Sequence, residues 1–212
     1  MPRRRHVSPD QGELFPALPP PPTCESFPGA STQRLFLGLL PDEATQGAIG
    51  RQRQTWTMPS AALFTKADRL HLTLHFLGEV ERSRALALQD ALAEVRMEAT
   101  HLSLRTPALW SVAVVRPDEN ERLRDLHDRL LQPLRRVGLQ AGTKWTPHVT
   151  IARNAKHAVP PAEMPSVDWP VHDFALVWSR FVPTARYEVL RRYGAASGST
   201  GSASGTNLVP CP

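Results

Sequence analysis

Two tetrapeptides in this chain share one form, histidine, apolar residue, threonine, apolar residue: His71-Leu72-Thr73-Leu74 and His148-Val149-Thr150-Ile151. Composition alone gives about 0.6 His-x-Thr, and about 0.1 when both neighbours must be apolar, so two copies are a signal. In an extended strand alternate side chains share a face. Each histidine then lies beside its own threonine, and the apolar residues turn to a core behind. Imidazole, with an ordinary pKa near 6.5, populates both protonation states at neutral pH. A pair of them suits a reaction that removes a proton on one side of a centre and delivers one on the other. A phosphodiester fits this layout: one histidine activates water for in-line attack and the other protonates the departing alkoxide. The threonine hydroxyls, with a nearby arginine, hold the charged oxygens. No metal or other cofactor is expected. His71 and His75 are four apart, but they lack the Glu of HExxH and lie in a strand, the wrong setting for that helical motif.

The elements that must position these motifs follow from periodicity. Residues 70–77 alternate as a strand with His71, Thr73 and His75 on one face and Leu72, Leu74 and Phe76 on the other. Residues 147–153 form a second strand. The apolar run 34–40 predicts an opening strand that stops at Pro41, with a helix starting at Asp42 and reaching about residue 54. Apolar residues at helical spacing predict helices over 81–97 and 118–137, the second kinked near Pro133 and stopped at Gly138. Residues 101–104, 109–115, 174–179 and 185–192 read as further strands. Strands and helices mix without strict alternation, which predicts an α+β fold.

With 41% hydrophobic and 21% charged residues in 212, the composition is that of a soluble globular protein of about one domain. No stretch approaches the roughly 18–20 apolar residues of a membrane helix, and the basic start runs into a proline-rich tract instead of a signal-peptide core. A cytoplasmic monomer is the expectation. Cys24 and Cys211 lie near the two ends, which excludes a disulfide framework. Residues 1–32 hold eight of the 21 prolines and read as a disordered arm, and residues 194–212 form a flexible Gly/Ser-rich tail, leaving 33–193 as the folded unit. The net charge of +5 belongs to that unit, because the arm balances three Arg against Asp10, Glu13 and Glu25. Its basic residues are mostly Arg, whose planar fork permits an anionic or nucleotide ligand.

HLTLHFLG at 71–78 and PHVTIAR at 147–153 resemble the HxTLxFLG and HxTLAR motifs of the RNA 2',3'-cyclic phosphodiesterases, also called 2'-5' RNA ligases, in the two-histidine phosphoesterase superfamily. RLFLGLLP at 34–41 is similar to that family's opening strand, and the resemblance spans 33–193. It implies a bilobal fold in which two pseudo-symmetric antiparallel sheets, flanked by helices, face across a central cleft with one motif on each side. It implies His71 as proton donor, His148 as proton acceptor, and Thr73 and Thr150 as phosphate-binding residues. The substrate it implies is an RNA or nucleotide end carrying a 2',3'-cyclic phosphate, opened to a 2'-phosphate. A reverse, ligating activity on tRNA halves is associated with the family.

Several other residues are candidates. Arg153 matches the motif's arginine and is expected at the phosphate, yet strict alternation from His148 sends it to the opposite face unless the strand twists or ends there. His75 shares the predicted face of His71. His101-Leu102-Ser103-Leu104 imitates the motif with Ser for Thr but lacks its flanks, so a structural role is expected. His127, among Asp125, Asp128 and Arg129, reads as part of a solvated helix face. Trp145 and Phe36 are candidates to stack on a nucleobase, core packing being the alternative for Phe36, and Lys144 adds phosphate attraction. Two other functions stay open: a phosphodiesterase for a small cyclic nucleotide, and a non-catalytic module that binds a nucleotide or RNA end.

Overall fold

A computed structural model describes residues 32–180 and 186–194. Of the arm and tail predicted at the two ends, Thr32 and Gly194 are described and belong to the first and last strands, and the rest, with Cys24 and Cys211, lies outside the described residues. The opening strand β1 (Thr32–Leu39) turns Leu35, Leu37 and Leu39 to one face, all fully buried, and Phe36 and Gly38 to the other. Pro41 follows, and Asp42 caps helix α1 (Glu43–Arg53) by accepting from the Thr45 amide at 2.8 Å. Next come β2 (Leu63–Phe64), a short 3-10 turn (Ala67–Arg69), β3 (Leu72–Glu81), α2 (Arg82–Leu92), β4 (Thr100–Leu109) and β5 (Ala113–Pro117). Helix α3 (Glu121–Arg136), β6 (Val149–Arg153), β7 (Val167–Val171), β8 (Asp173–Arg180) and β9 (Arg186–Gly194) complete the described chain.

All strand pairs are antiparallel, in the order β7-β4-β5-β6-β3-β1-β8-β9 with β2 on β6. The order carries an internal repeat. β1-α1-β3 and β5-α3-β6 are each strand, helix, strand, and in each the second strand opens on a His-x-Thr motif. β8 and β9 widen the first half beyond β1, and β4 and β7 widen the second beyond β5. The fold is therefore the expected α+β arrangement of two antiparallel halves. The two sheets are joined into one by a single residue pair, Leu72 with Val149, between β3 and β6.

The helices cover one face and trade partners between the halves. α1 follows β1 but packs on β7 of the other half, where Gln52 Nε2 donates to the carbonyls of Leu104 (2.7 Å) and Pro165 (2.6 Å). α3 follows β5 but reaches β3, whose His75 Nε2 lies 2.8 Å from the His127 carbonyl. One core results, including Leu35, Leu37, Leu72, Leu88, Leu104, Leu126, Leu130 and Ile151 between sheet and helices. The opposite face, here the cleft face, carries only a small cluster of Phe36, Ala175 and Val177 with Leu40 and Tyr187 against it.

Two elements depart from the periodicity. α2 ends at Leu92 instead of reaching residue 97, and Val95 packs on the core from the segment that follows. α3 includes Pro133 and ends as predicted, where Gly138 at φ +72° makes the stop. β7 is not evident in the sequence because Val-Asp-Trp-Pro-Val carries two poor strand formers. It exists because Val167, Trp169 and Val171 bury alternately, and Pro170 is tolerated because β7 is an edge strand.

Gly38 pairs with Thr73, and a Cβ there would lie 2.9 Å from the Leu72 carbonyl oxygen and 3.1 Å from the Phe36 ring. Gly38→Ala should therefore cost about 1–3 kcal/mol of stability through overpacking. Urea unfolding measures this, and an unchanged midpoint would show that the approach of β1 to β3 is looser than described.

Candidate active site

Leu72 and Val149 are the first residues of β3 and β6, both have 0% exposure, and both belong to the helix-side core. The two strands run antiparallel and away from each other from this bridge. The neighbouring positions set His71 across from Thr150 and Thr73 across from His148, on the cleft face. Residues opposite one another in such a pair have Cβ atoms about 4.5–5.5 Å apart and diagonal ones about 7–8 Å. Two histidines and two threonines thus share one patch of the cleft face, and all four are half-buried.

Both imidazoles are anchored alike. His71 Nδ1 lies 2.8 Å from the Arg69 carbonyl, and His148 Nδ1 lies 2.8 Å from the Thr146 carbonyl. A carbonyl only accepts, so Nδ1 carries the hydrogen in each case and Nε2 is left for chemistry. An aromatic ring meets each imidazole edge-on: Tyr187 at 5.2 Å and 90° for His71, Trp110 at 4.9 Å and 80° for His148. Burial holds both histidines below the ordinary imidazole range, against the opposing pull of the Nδ1 hydrogen bonds. Positive charge lowers them further, from His148, Arg153 and Arg69 at His71 and from Arg116 at His148.

An extra residue follows the threonine of each motif. Gly38 pairs with Thr73 but Leu37 with His75, so Leu74 is a bulge; Val114 pairs with Thr150 but Ala113 with Ala152, so Ile151 is a bulge. Each bulge reverses the alternation beyond it. His75 does not share the face of His71 as the periodicity predicts; it turns into the core at 3% exposure, and Phe76 emerges on the cleft face at 55% beneath Arg34. In β6 the same shift sends Ala152 to the core and leaves Arg153 exposed, close enough to act on the charge of His71. Strict alternation, which sends Arg153 away, fails for this reason.

Other sequence candidates are placed differently from expectation. His127 is not on a solvated face: it is 2% exposed, stacked between His75 at 4.2 Å and Trp145 at 4.3 Å, with Nδ1 2.9 Å from Asp128 Oδ1. Trp145 is occupied by that stack and donates from Nε1 to the Thr73 carbonyl at 2.9 Å, so it braces the first motif where a base-stacking face was expected. Phe36 is buried against His71 at 4.9 Å and Tyr187 at 5.1 Å, which makes it packing for the imidazole. His101 is exposed on β4 opposite Pro170, two strands away from β6. Lys144 is exposed ahead of the second motif.

Sequence reasoning missed Arg69, Arg116, Trp110 and Tyr187 as neighbours of the histidines. Arg116 had a signal, since it alternates with Val114 at the end of an apolar run, but its nearness to His148 depends on the pairing of β5 with β6. Among the described residues Arg69, Arg116 and Arg153 make no ion pair with a carboxylate, and no group of three or more His, Cys, Asp or Glu is placed to hold a metal ion.

Two antiparallel halves, each offering one anchored imidazole and one threonine across a shared bridge, form a phosphoesterase-like fold. The chain matches the 2'-5' RNA ligase superfamily over residues 41–180, and it belongs to that superfamily. It is 33% identical over 174 residues to the RNA 2',3'-cyclic phosphodiesterase of Escherichia coli K12, covering 76% of this chain and 96% of that protein. The crystal structure of E. coli LigT complexed with 3'-AMP superposes with a TM-score of 0.70 at 28% identity, covering 78% of this chain and 99% of that one. The phosphate complex of the same protein gives 0.66 at 26%, covering 79% and 100%.

The histidines also predict a pH dependence. His71, His75 and His148 all bind a proton less readily when folded, chiefly through burial, so the unfolded chain holds more protons below its ordinary histidine range. Their contribution is fully present above about pH 6.5 and is lost as pH falls below it. Urea midpoints should be lower at pH 5.5 than at pH 7.5, a window in which carboxylates stay largely ionised. A flat profile would count against three desolvated imidazoles.

Proposed function

We propose that the protein is a metal-independent phosphodiesterase that opens RNA 2',3'-cyclic phosphate ends to 2'-phosphates. The observation that carries this reading is the back-to-back placement of two His-x-Thr motifs on one bridge, each imidazole with Nδ1 on a carbonyl and Nε2 left for chemistry. Membership of the superfamily, and relatives named RNA 2',3'-cyclic phosphodiesterase, supply the substrate class. The 3'-AMP complex of LigT is consistent with a nucleotide in this cleft.

In this mechanism the cyclic phosphate lies over the bridge, with Thr73 Oγ1, Thr150 Oγ1 and the Arg153 guanidinium on its non-bridging oxygens. His148 Nε2 takes a proton from water as the water oxygen bonds to phosphorus. The bond from phosphorus to O3' breaks on the opposite side, and His71 Nε2 gives its proton to O3'. One water is consumed, the 2'-phosphate remains, and the two histidines return to their starting states by exchange with solvent. Both imidazoles are held low in the free protein, so the protonated donor forms once the anionic substrate is present and raises the proton affinity of His71. With a ribose hydroxyl in place of water, the same step joins two RNA ends.

The test is to incubate the protein with EDTA and a short RNA ending in a 2',3'-cyclic phosphate, then to identify which hydroxyl bears the product phosphate. The expected product is the 2'-phosphate, formed at an EDTA-insensitive rate that falls by about two to four orders of magnitude in His71→Ala and in His148→Ala. A 3'-phosphate would reverse the leaving-group assignment. Turnover of a mononucleotide cyclic phosphate but not of RNA would favour the small-nucleotide function, and binding without product would favour a binding module.

A further inference from the structure

Arg116 stands at the end of β5, a strand flanked on both sides by β4 and β6. Val115 pairs with Val149 and belongs to the helix-side core, whereas Val114 pairs with Thr150. Alternation puts Arg116 on the same face as Val114, and the register carries it to the position beside His148. Arg116 also acts on His148 through its charge. Its Nε is closed off from solvent without a hydrogen-bond partner, and no carboxylate among the described residues pairs with it.

The fold does not require a cation there. Leu39 pairs with Leu72 as Val115 pairs with Val149, so Leu40 is the counterpart of Arg116 in the first half. Leu40 simply packs against the cluster of Phe36, Ala175 and Val177. The second half therefore places a guanidinium where the first places a leucine, next to an imidazole that would itself become cationic as it accepts a proton. Two cations side by side in a partly desolvated site are unfavourable unless an anion joins them. Arg69 and Arg153 act at His71, and Arg116 is the corresponding charge at His148.

We propose that Arg116 is a binding residue for the phosphoryl group, its terminal guanidinium nitrogens holding an anionic oxygen on the His148 side of the cleft. This rests on the function proposed above only in taking the anion to be a phosphoryl group. Planar guanidinium nitrogens match phosphoryl oxygens, and a hydrogen bond between two ions is the strong kind.

The test needs no turnover. Inorganic phosphate is titrated into the protein while the ring C–H signals of His71 and His148 are followed by NMR, in wild type, Arg116→Gln and Arg116→Lys. Saturable shifts in wild type are expected, with affinity about tenfold or more weaker in Arg116→Gln and within about threefold of wild type in Arg116→Lys, which keeps the charge. Arg116→Met, which keeps the apolar stem, carries the same comparison if the Gln variant does not fold. Phosphate affinity within twofold of wild type in Arg116→Gln, or no saturable shift in wild type, overturns the assignment. A wild-type protein that binds phosphate through Arg116 but opens no cyclic phosphate leaves this assignment standing and removes the proposed reaction.

Discussion

Leu72 and Val149 face one another across the one bridge that joins β3 to β6, and burial of both side chains fixes which way the neighbouring residues point. Strand side chains alternate with period two, so a slip of one residue would drive the imidazoles into the core and expose the leucine and valine. Burying two apolar side chains thereby sets the orientation of four polar ones. A one-pair ladder is weak by itself, and the molecule braces it from both halves. The indole of Trp145, three residues before His148, donates to the carbonyl of Thr73, and the stack of Trp145, His127 and His75 extends that brace to helix α3. Gln52 of α1 secures the reciprocal crossing onto the other half of the sheet.

The bulges at Leu74 and Ile151 explain what the sequence discloses and what it withholds. Up to the threonine of each motif, period two is obeyed, and the faces of His71, Thr73, His148 and Thr150 are legible from local pattern alone. The ends of β1, α1 and α3 are legible too, because Pro41, Asp42 and Gly138 act through their own backbone chemistry. A bulge is different: it is a property of pairing, visible only when β1 or β5 lies alongside. His75, Phe76 and Arg153 all lie just beyond one, which is why their faces could not be read. His127 misled for another reason. Its charged neighbours Asp128 and Arg129 do face solvent, whereas the histidine at the adjoining helical position is covered by α3 meeting β3 and Trp145.

Electrostatics at the cleft run against what a stable free protein would choose. Three arginines that have no carboxylate partner among the described residues stand near two imidazoles whose proton affinity burial already lowers. In the absence of an anion these charges repel any proton arriving at Nε2. A phosphoryl group reverses the balance: it offsets the guanidiniums and makes a protonated imidazole favourable at the moment one is needed. Under the proposed function the proton donor is assembled by its substrate, and the lowered proton affinity of His71 in the free protein understates its capacity in the complex.

The internal repeat gives His71 and His148 the same anchor, the same edge-on aromatic contact and the same adjacent threonine. Nothing in those shared features distinguishes a proton donor from a proton acceptor. The distinction has to come from what the halves do not share: Phe36, Arg69 and Arg153 act at His71, and Arg116 stands at His148 where the first half has Leu40. A near-symmetric pair with unequal surroundings suits a reversible phosphoryl transfer, because microscopic reversibility requires each imidazole to perform the other's task when the reaction runs backward. An acid and a base of unrelated chemistry would each be tuned for one direction. Two imidazoles with the same tautomer and the same geometry exchange roles by moving one proton, and the bias between directions is left to the charged and aromatic residues around them.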